Sequence, residues 1–150
     1  MEKWIFFDMD GTLNKFYEVI NWLLKLRAFD PSPYEDAAVN LNMSLLARYL
    51  HILQEKGYKI GIISWLAKES NETYDAEVSS IKNKWLKLHI GSVEFDAIYI
   101  VPYGVPKHSL RKSTSDILFD DSTPIRIDWG LNAYPPEQIL SVLKALIKEG

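Results

Sequence analysis

The chain contains no cysteine among its 150 residues. That excludes disulfides, a thiolate metal site and a cysteine nucleophile. A basic excess is also lacking, since 17 Lys and Arg stand against 20 Asp and Glu, a formal charge of −3 at pH 7. Proteins that track a phosphate backbone carry such an excess, so general nucleic-acid binding is disfavoured, while a short nucleic-acid end stays open as a substrate. No apolar run approaches the roughly 20 residues of a membrane-spanning helix. The sequence runs at once into a strand-like segment with no signal-peptide pattern, so a cytoplasmic location is expected. Internal repeats and low-complexity linkers are absent.

What is present is ordinary for a globular protein: 47% hydrophobic and 25% charged residues. The length suits a single domain over 1–150 that buries roughly two-thirds of its unfolded surface. Trp4-Ile5-Phe6-Phe7 reads as a buried strand leading into Asp8-Met9-Asp10-Gly11-Thr12, where Gly11 breaks it. Phe16, Val19, Ile20, Leu23, Leu24 and Arg27 recur at helical spacing, with Asn14 as a start signal. Pro31 and Pro33 disfavour a continuous helix over 28–42. A helix is expected from about Met43 to Lys56, with Leu46, Tyr49, Leu50 and Leu53 on its apolar face and Gly57 as its stop. Residues 58–63 form a strand ending at Ser64. A helix over 71–89 follows, its apolar face made by Val78, Ile81, Trp85 and Leu88. Further strands are expected at 97–101, 117–119 and near 131–134, then a closing helix over 137–148.

Strands alternating with helices predict an α/β, Rossmann-like fold with a mainly parallel central sheet and helices on both faces. Ligands of such sheets bind beyond the carboxyl ends of the strands. Asp8 and Asp10 follow the first strand, Ser64 the second, and Asp120-Asp121 a later one. Scattered surface acids would not be expected to follow separate strands. Clustered carboxylates repel one another and require a cation, and a hard divalent ion such as Mg²⁺ suits them. A lysine ammonium can bind phosphate and offset such acids, and Lys107 and Lys112 both lie between Ser64 and Asp120.

Asp8-Met9-Asp10-Gly11-Thr12 resembles the DxDGT motif of the haloacid-dehalogenase-like (HAD) hydrolases. Ser64, Lys107 and Asp120-Asp121 fall where that family carries its second, third and fourth motifs. The resemblance implies an HAD-like fold and a Mg²⁺-dependent phosphomonoester hydrolase. Asp8 would be the nucleophile that forms an aspartyl-phosphate, and Asp10 the general acid and base. Mg²⁺ would be held by Asp8, the Asp10 backbone carbonyl and Asp121, with Asp120 binding through water or orienting its neighbours. Ser64, Lys107 and backbone amides around Met9, Gly11 and Thr12 would hold the phosphoryl oxygens. The second acid, Asp10, favours phosphate over halide chemistry.

The stretch between Ser64 and Lys107 has room for one helix and one strand, not a large cap. Only the 14–42 segment can form a small lid, containing Phe16, Tyr17 and residues 29–34. The expected partner is a small phosphorylated substrate or a phosphorylated nucleic-acid end. Trp65 could stack on a base or sugar or serve as a packing residue, and a nucleotide-type substrate is the lean. Tyr103, His108 and Trp129 are further candidates for the rim of the site, with a structural role the favoured reading for each, and Asp128 is a candidate secondary acid, while His51 and His89 carry no role. A catalytically silent phosphoryl-ligand or protein-binding module and a phosphotransferase are the alternatives. The oligomeric state is not legible in the sequence.

Overall fold

A computed structural model describes residues 2–149, so the two ends of the expected 1–150 unit lie outside it. Five parallel strands form one sheet in the order β3-β2-β1-β4-β5. They are β1 (Lys3–Phe7), β2 (Tyr58–Trp65), β3 (Ala97–Val101), β4 (Ile117–Phe119) and β5 (Ala133–Tyr134). β1 lies at the centre, bonded to β2 on one side and β4 on the other. The expected α/β architecture, with helices on both faces of a parallel sheet, is the one observed.

Side chains alternate across a strand, and β1 divides its apolar run accordingly. Ile5 and Phe7 join Ile60, Ile62 and Phe119 on one face. That face is covered by α3 (Met43–Glu55) through Leu46, Leu50 and Leu53, by the end of α4 (Glu72–Ile90), and by α6 (Ile139–Glu149). Trp4 and Phe6 point the other way, into Ile63, Leu118 and Trp129 of α5 (Thr123–Trp129). Trp129 is therefore a core residue on the second face, the structural one of its two readings.

Gly61 lies on β2 opposite Phe6, and a Cβ there would stand 2.6 Å from the Phe6 ring. Overpacking of this kind typically costs 1–3 kcal/mol. Gly61→Ala is expected to lower the unfolding free energy by about 2 kcal/mol, measured by urea denaturation. An unchanged midpoint would mean that Phe6 moves aside freely.

The expected long helix after residue 14 is replaced by shorter pieces. The Asn14 side-chain oxygen accepts from the amides of Gly11 and Phe16, closing a turn. A 3-10 turn follows at Phe16–Glu18, Asn21 turns left-handed at φ 60°, and α1 covers only Trp22–Arg27. Asn14 is thus a loop clasp and not a helix start. Residues 28–42 do contain one short helix, α2 (Ser32–Asp36), with Pro33 in its first turn, where a missing amide costs nothing. Phe16 and Tyr34 of this segment pack with Leu66, Tyr74 and Val78 in a small separate core. On α4 the buried stripe is Tyr74, Val78, Lys82, Trp85, Leu86 and Ile90, and the expected Leu88 is 79% exposed. Among the described residues no helix is long and apolar enough to cross a membrane.

Candidate active site

The carboxyl ends of β1, β2 and β4 open onto a cavity of about 700 Å³. Asp8, Asp10, Lys107, Asp120 and Asp121 all line it. The backbone amide of Asp8, just past β1, donates a hydrogen bond to the Phe119 carbonyl at 2.9 Å, which ties it to the end of β4. Gly11, at φ 84°, turns the chain after Asp10. A side chain on Gly11 would run into the Asp121 carboxylate and the Tyr17 ring. The glycine is therefore required both for its backbone angle and for the close approach of Asp121.

Lys107 bridges the cluster. Its ammonium donates to Asp8 Oδ1 at 2.8 Å and to Asp120 Oδ2 at 2.7 Å, and its side chain is 2% exposed. Burial opposes the charge on Lys107, but Asp8 and Asp120 outweigh it and hold its pKa above the ordinary lysine value. Lys112, the alternative, bonds instead to the Tyr99 hydroxyl, away from the acids. Asp120 has both oxygens engaged, one by Lys107 and one by the Ser122 amide at 2.9 Å. Asp121 lies at the exposed side of the cluster. Carboxylate oxygens of Asp8, Asp120 and Asp121 lie within 4.8 Å of one another. Burial and the charge of Asp8 push the Asp120 carboxyl up to about 6. Asp121, moved by the same two causes and by Asp120, rises to about 8. Three acids this close together could hold a hard cation.

The phosphate-cradle expectations are redistributed. Thr12 is fully buried, and its hydroxyl donates to Asp8 Oδ2 at 2.9 Å while accepting from the Asp121 amide. It positions both acids and is closed off from a ligand. The Gly11 and Thr12 amides are engaged within their own loop, by Asn14 and by the Met9 carbonyl. The Met9 side chain belongs to the core. Ser64 is fully buried, and its hydroxyl oxygen accepts from the Lys82 ammonium at 2.6 Å. The expected Ser64–phosphoryl contact therefore has no exposed hydroxyl to make it. Strand parity explains this: Ser64 shares the Ile60 and Ile62 face, towards α4, whereas Trp65 points to the other. The Trp65 indole donates to the Val105 carbonyl, packs on Tyr103 and reaches the cavity.

Lys82 was not foreseen. It is 1% exposed and donates to Asp10 Oδ2 at 3.0 Å, Ser64 Oγ and the Trp65 carbonyl. The sequence did hold a signal. Lys82 falls four residues after Val78 and three before Trp85, inside the apolar stripe of α4. A charged residue in a buried stripe requires a buried partner. The Asp10 side chain is consequently paired with Lys82 and contributes no oxygen to the three-acid cluster. His108 and Asp128 are exposed and outside the cavity lining, while Tyr103 lines it.

No family model matches the chain, and no curated relative matches it. Solved structures do. The D,D-heptose 1,7-bisphosphate phosphatase from Burkholderia thailandensis is 12% identical with a TM-score of 0.60, over 97% of this chain and 98% of that one. The D,D-heptose 1,7-bisphosphate phosphatase from B. bronchiseptica, complexed with magnesium and phosphate, is 13% identical with a TM-score of 0.56, over 99% of each chain. At such identities the likeness is one of fold, and the chain has the haloacid-dehalogenase-like fold.

Proposed function

We propose that this protein is a Mg²⁺-dependent phosphomonoester hydrolase that works through an aspartyl-phosphate on Asp8. The observation that carries the reading is the buried Asp8–Lys107–Asp120 chain, with Asp121 beside it, at the mouth of one cavity. The phosphatase similar in fold that was solved with magnesium and phosphate is consistent with it.

Asp8 Oδ attacks phosphorus, the bond from phosphorus to the ester oxygen breaks, and Asp10 delivers a proton to that oxygen. Asp10 then takes a proton from water as the water attacks the aspartyl-phosphate, releasing phosphate and restoring Asp8. Lys107 offsets the charge of the equatorial oxygens, with the Met9 and Asp10 amides as further donors. Asp8, Asp121 and the Asp10 carbonyl would hold Mg²⁺, and Asp120 orients Lys107. When bound, the ion offsets the repulsion between an anionic carboxylate and an anionic phosphate.

The 14–42 segment serves as a small lid, since Phe16, Tyr17, Trp22 and Tyr34 from it line the cavity together with Trp65 and Tyr103. Aromatic walls around a volume of about 700 Å³ suit a planar leaving group, so nucleotides and phosphorylated nucleic-acid ends are the favoured substrates. A screen of nucleotides, sugar phosphates and phosphorylated DNA ends, with and without Mg²⁺, tests this. Nucleotides should turn over fastest and only with the metal. Equal turnover without metal would overturn the Mg²⁺ role.

The raised carboxyls set the pH dependence. A folded-state pKa above the unfolded value means that the folded chain holds the extra proton, so these acids lower stability as pH rises from about 4 to about 8. Mg²⁺ binds the ionised form and opposes that loss. The Mg²⁺-induced increase in Tm should therefore be larger at pH 8 than at pH 6, read by calorimetry. The reverse order would place the ion elsewhere.

A further inference from the structure

We infer that Lys82 is a positioning residue, which fixes the Asp10 carboxylate by one oxygen and leaves the other to exchange the catalytic proton. The inference rests on the phosphatase reading above and adds to it a residue outside the family-like motifs. Lys82 has three N–H donors, and three acceptors take them: Asp10 Oδ2 at 3.0 Å, Ser64 Oγ at 2.6 Å and the Trp65 carbonyl at 2.8 Å. The Tyr34 ring lies 5.0 Å from the ammonium, and the side chain is 1% exposed. Lys82 therefore has no donor to offer a phosphate and does not line the cavity, whereas Asp10 does.

The geometry is asymmetric at Asp10. Oδ2 is committed to a buried ammonium, and Oδ1 receives only a 3.3 Å bond from Asn14 Nδ2. Oδ1 is thus the oxygen that can pass a proton to the leaving oxygen and take one back from water. Two of the three acceptors belong to the end of β2, so Lys82 keys the loop after β1 to its neighbouring strand. Two lysines divide the acids between them: Lys107 holds the nucleophile and Lys82 holds the proton carrier. A buried charge that makes every bond it can and touches no ligand acts by placing its partner.

The test uses leaving-group dependence. An alkyl phosphate requires its leaving oxygen to be protonated, while p-nitrophenyl phosphate expels a stable anion and does not. Lys82→Met should lower kcat/KM, which reads only the steps up to release of the leaving group and not the later hydrolysis that also uses Asp10, about 100-fold on the alkyl phosphate and less than about 5-fold on p-nitrophenyl phosphate. Inhibition by inorganic phosphate should stay within about 3-fold of wild type, because no phosphate contact is lost. Asp10→Asn should show the same pattern, and adding Lys82→Met to it should cost less than about 3-fold more, since the two act as one unit. Equal losses on both esters, a weakening of phosphate inhibition alone or an additive double variant would overturn the inference. Lys82→Gln, which keeps two donors, is the second variant, and failure of both to fold would make Lys82 structural only and overturn it too. A wild type without turnover on either ester would instead overturn the phosphatase reading, and this role with it.

Discussion

Asp8→Asn is expected to reduce phosphomonoester turnover by at least about 10⁴-fold, because an amide oxygen is a poor nucleophile. The substitution is nearly isosteric. Asp8 Oδ1 accepts from Lys107 and Oδ2 from Thr12, and an Asn oxygen can keep only one of these bonds. Lys107 retains Asp120, so the variant should fold. A covalent intermediate makes a second, independent claim. Acid-quenched wild type turning over substrate should carry one phosphoryl group by mass, on the peptide containing Asp8, and Asp8→Asn should carry none. Full activity in the variant, or a phosphoryl group on another residue, would overturn the nucleophile assignment.

Lys107→Met should be nearly as damaging, and for a different reason. Lys107 is the only cation bonded to the carboxylates of Asp8 and Asp120 among the described residues, and all three are buried. Removing one partner of a buried pair typically costs about 3–5 kcal/mol, because a charge is left without compensation. Two carboxylates would then face each other without the ammonium. The protein can relieve this by binding a proton, most readily on Asp120, whose carboxyl is already raised to about 6. In the variant the folded-state pKa rises further above the unfolded value, so the lost stability should return as pH falls through that higher value towards about 6. Urea denaturation at several pH values would read the change, and a pH-independent loss would sink the account. Turnover should fall at least about 10³-fold, since charge compensation for both nucleophile and phosphate is lost.

Much of the site's membership was legible because it is written next to the strands. Asp8, Asp10, Asp120 and Asp121 each stand just past an apolar run that could only be a buried strand, and a parallel sheet brings all such ends to one edge. Lys107 was legible only through the family resemblance, which implies a lysine between the second and fourth motifs. The partners of these residues were not. Thr12 and Ser64 looked like ligand contacts and are fully buried. Lys82 was given no role, and its bond to Asp10 spans 72 positions. Helix periodicity also misled after residue 14, where the Asn14 side chain closes a turn and the apolar residues serve short separate pieces.

The sequence by itself determined the chain's local order: which runs are strands, where acids interrupt them, and that no thiol can take part. These follow from hydrophobic period, from Gly11 as a breaker and from composition, all of which act over a few residues. Only the tertiary structure decided which acid answers to which lysine. That choice depends on strand parity, which turns Ser64 towards α4 and Trp65 towards the loop carrying Lys107. It depends equally on burial, which makes an unpaired charge so costly that Lys82 and Asp10 must meet.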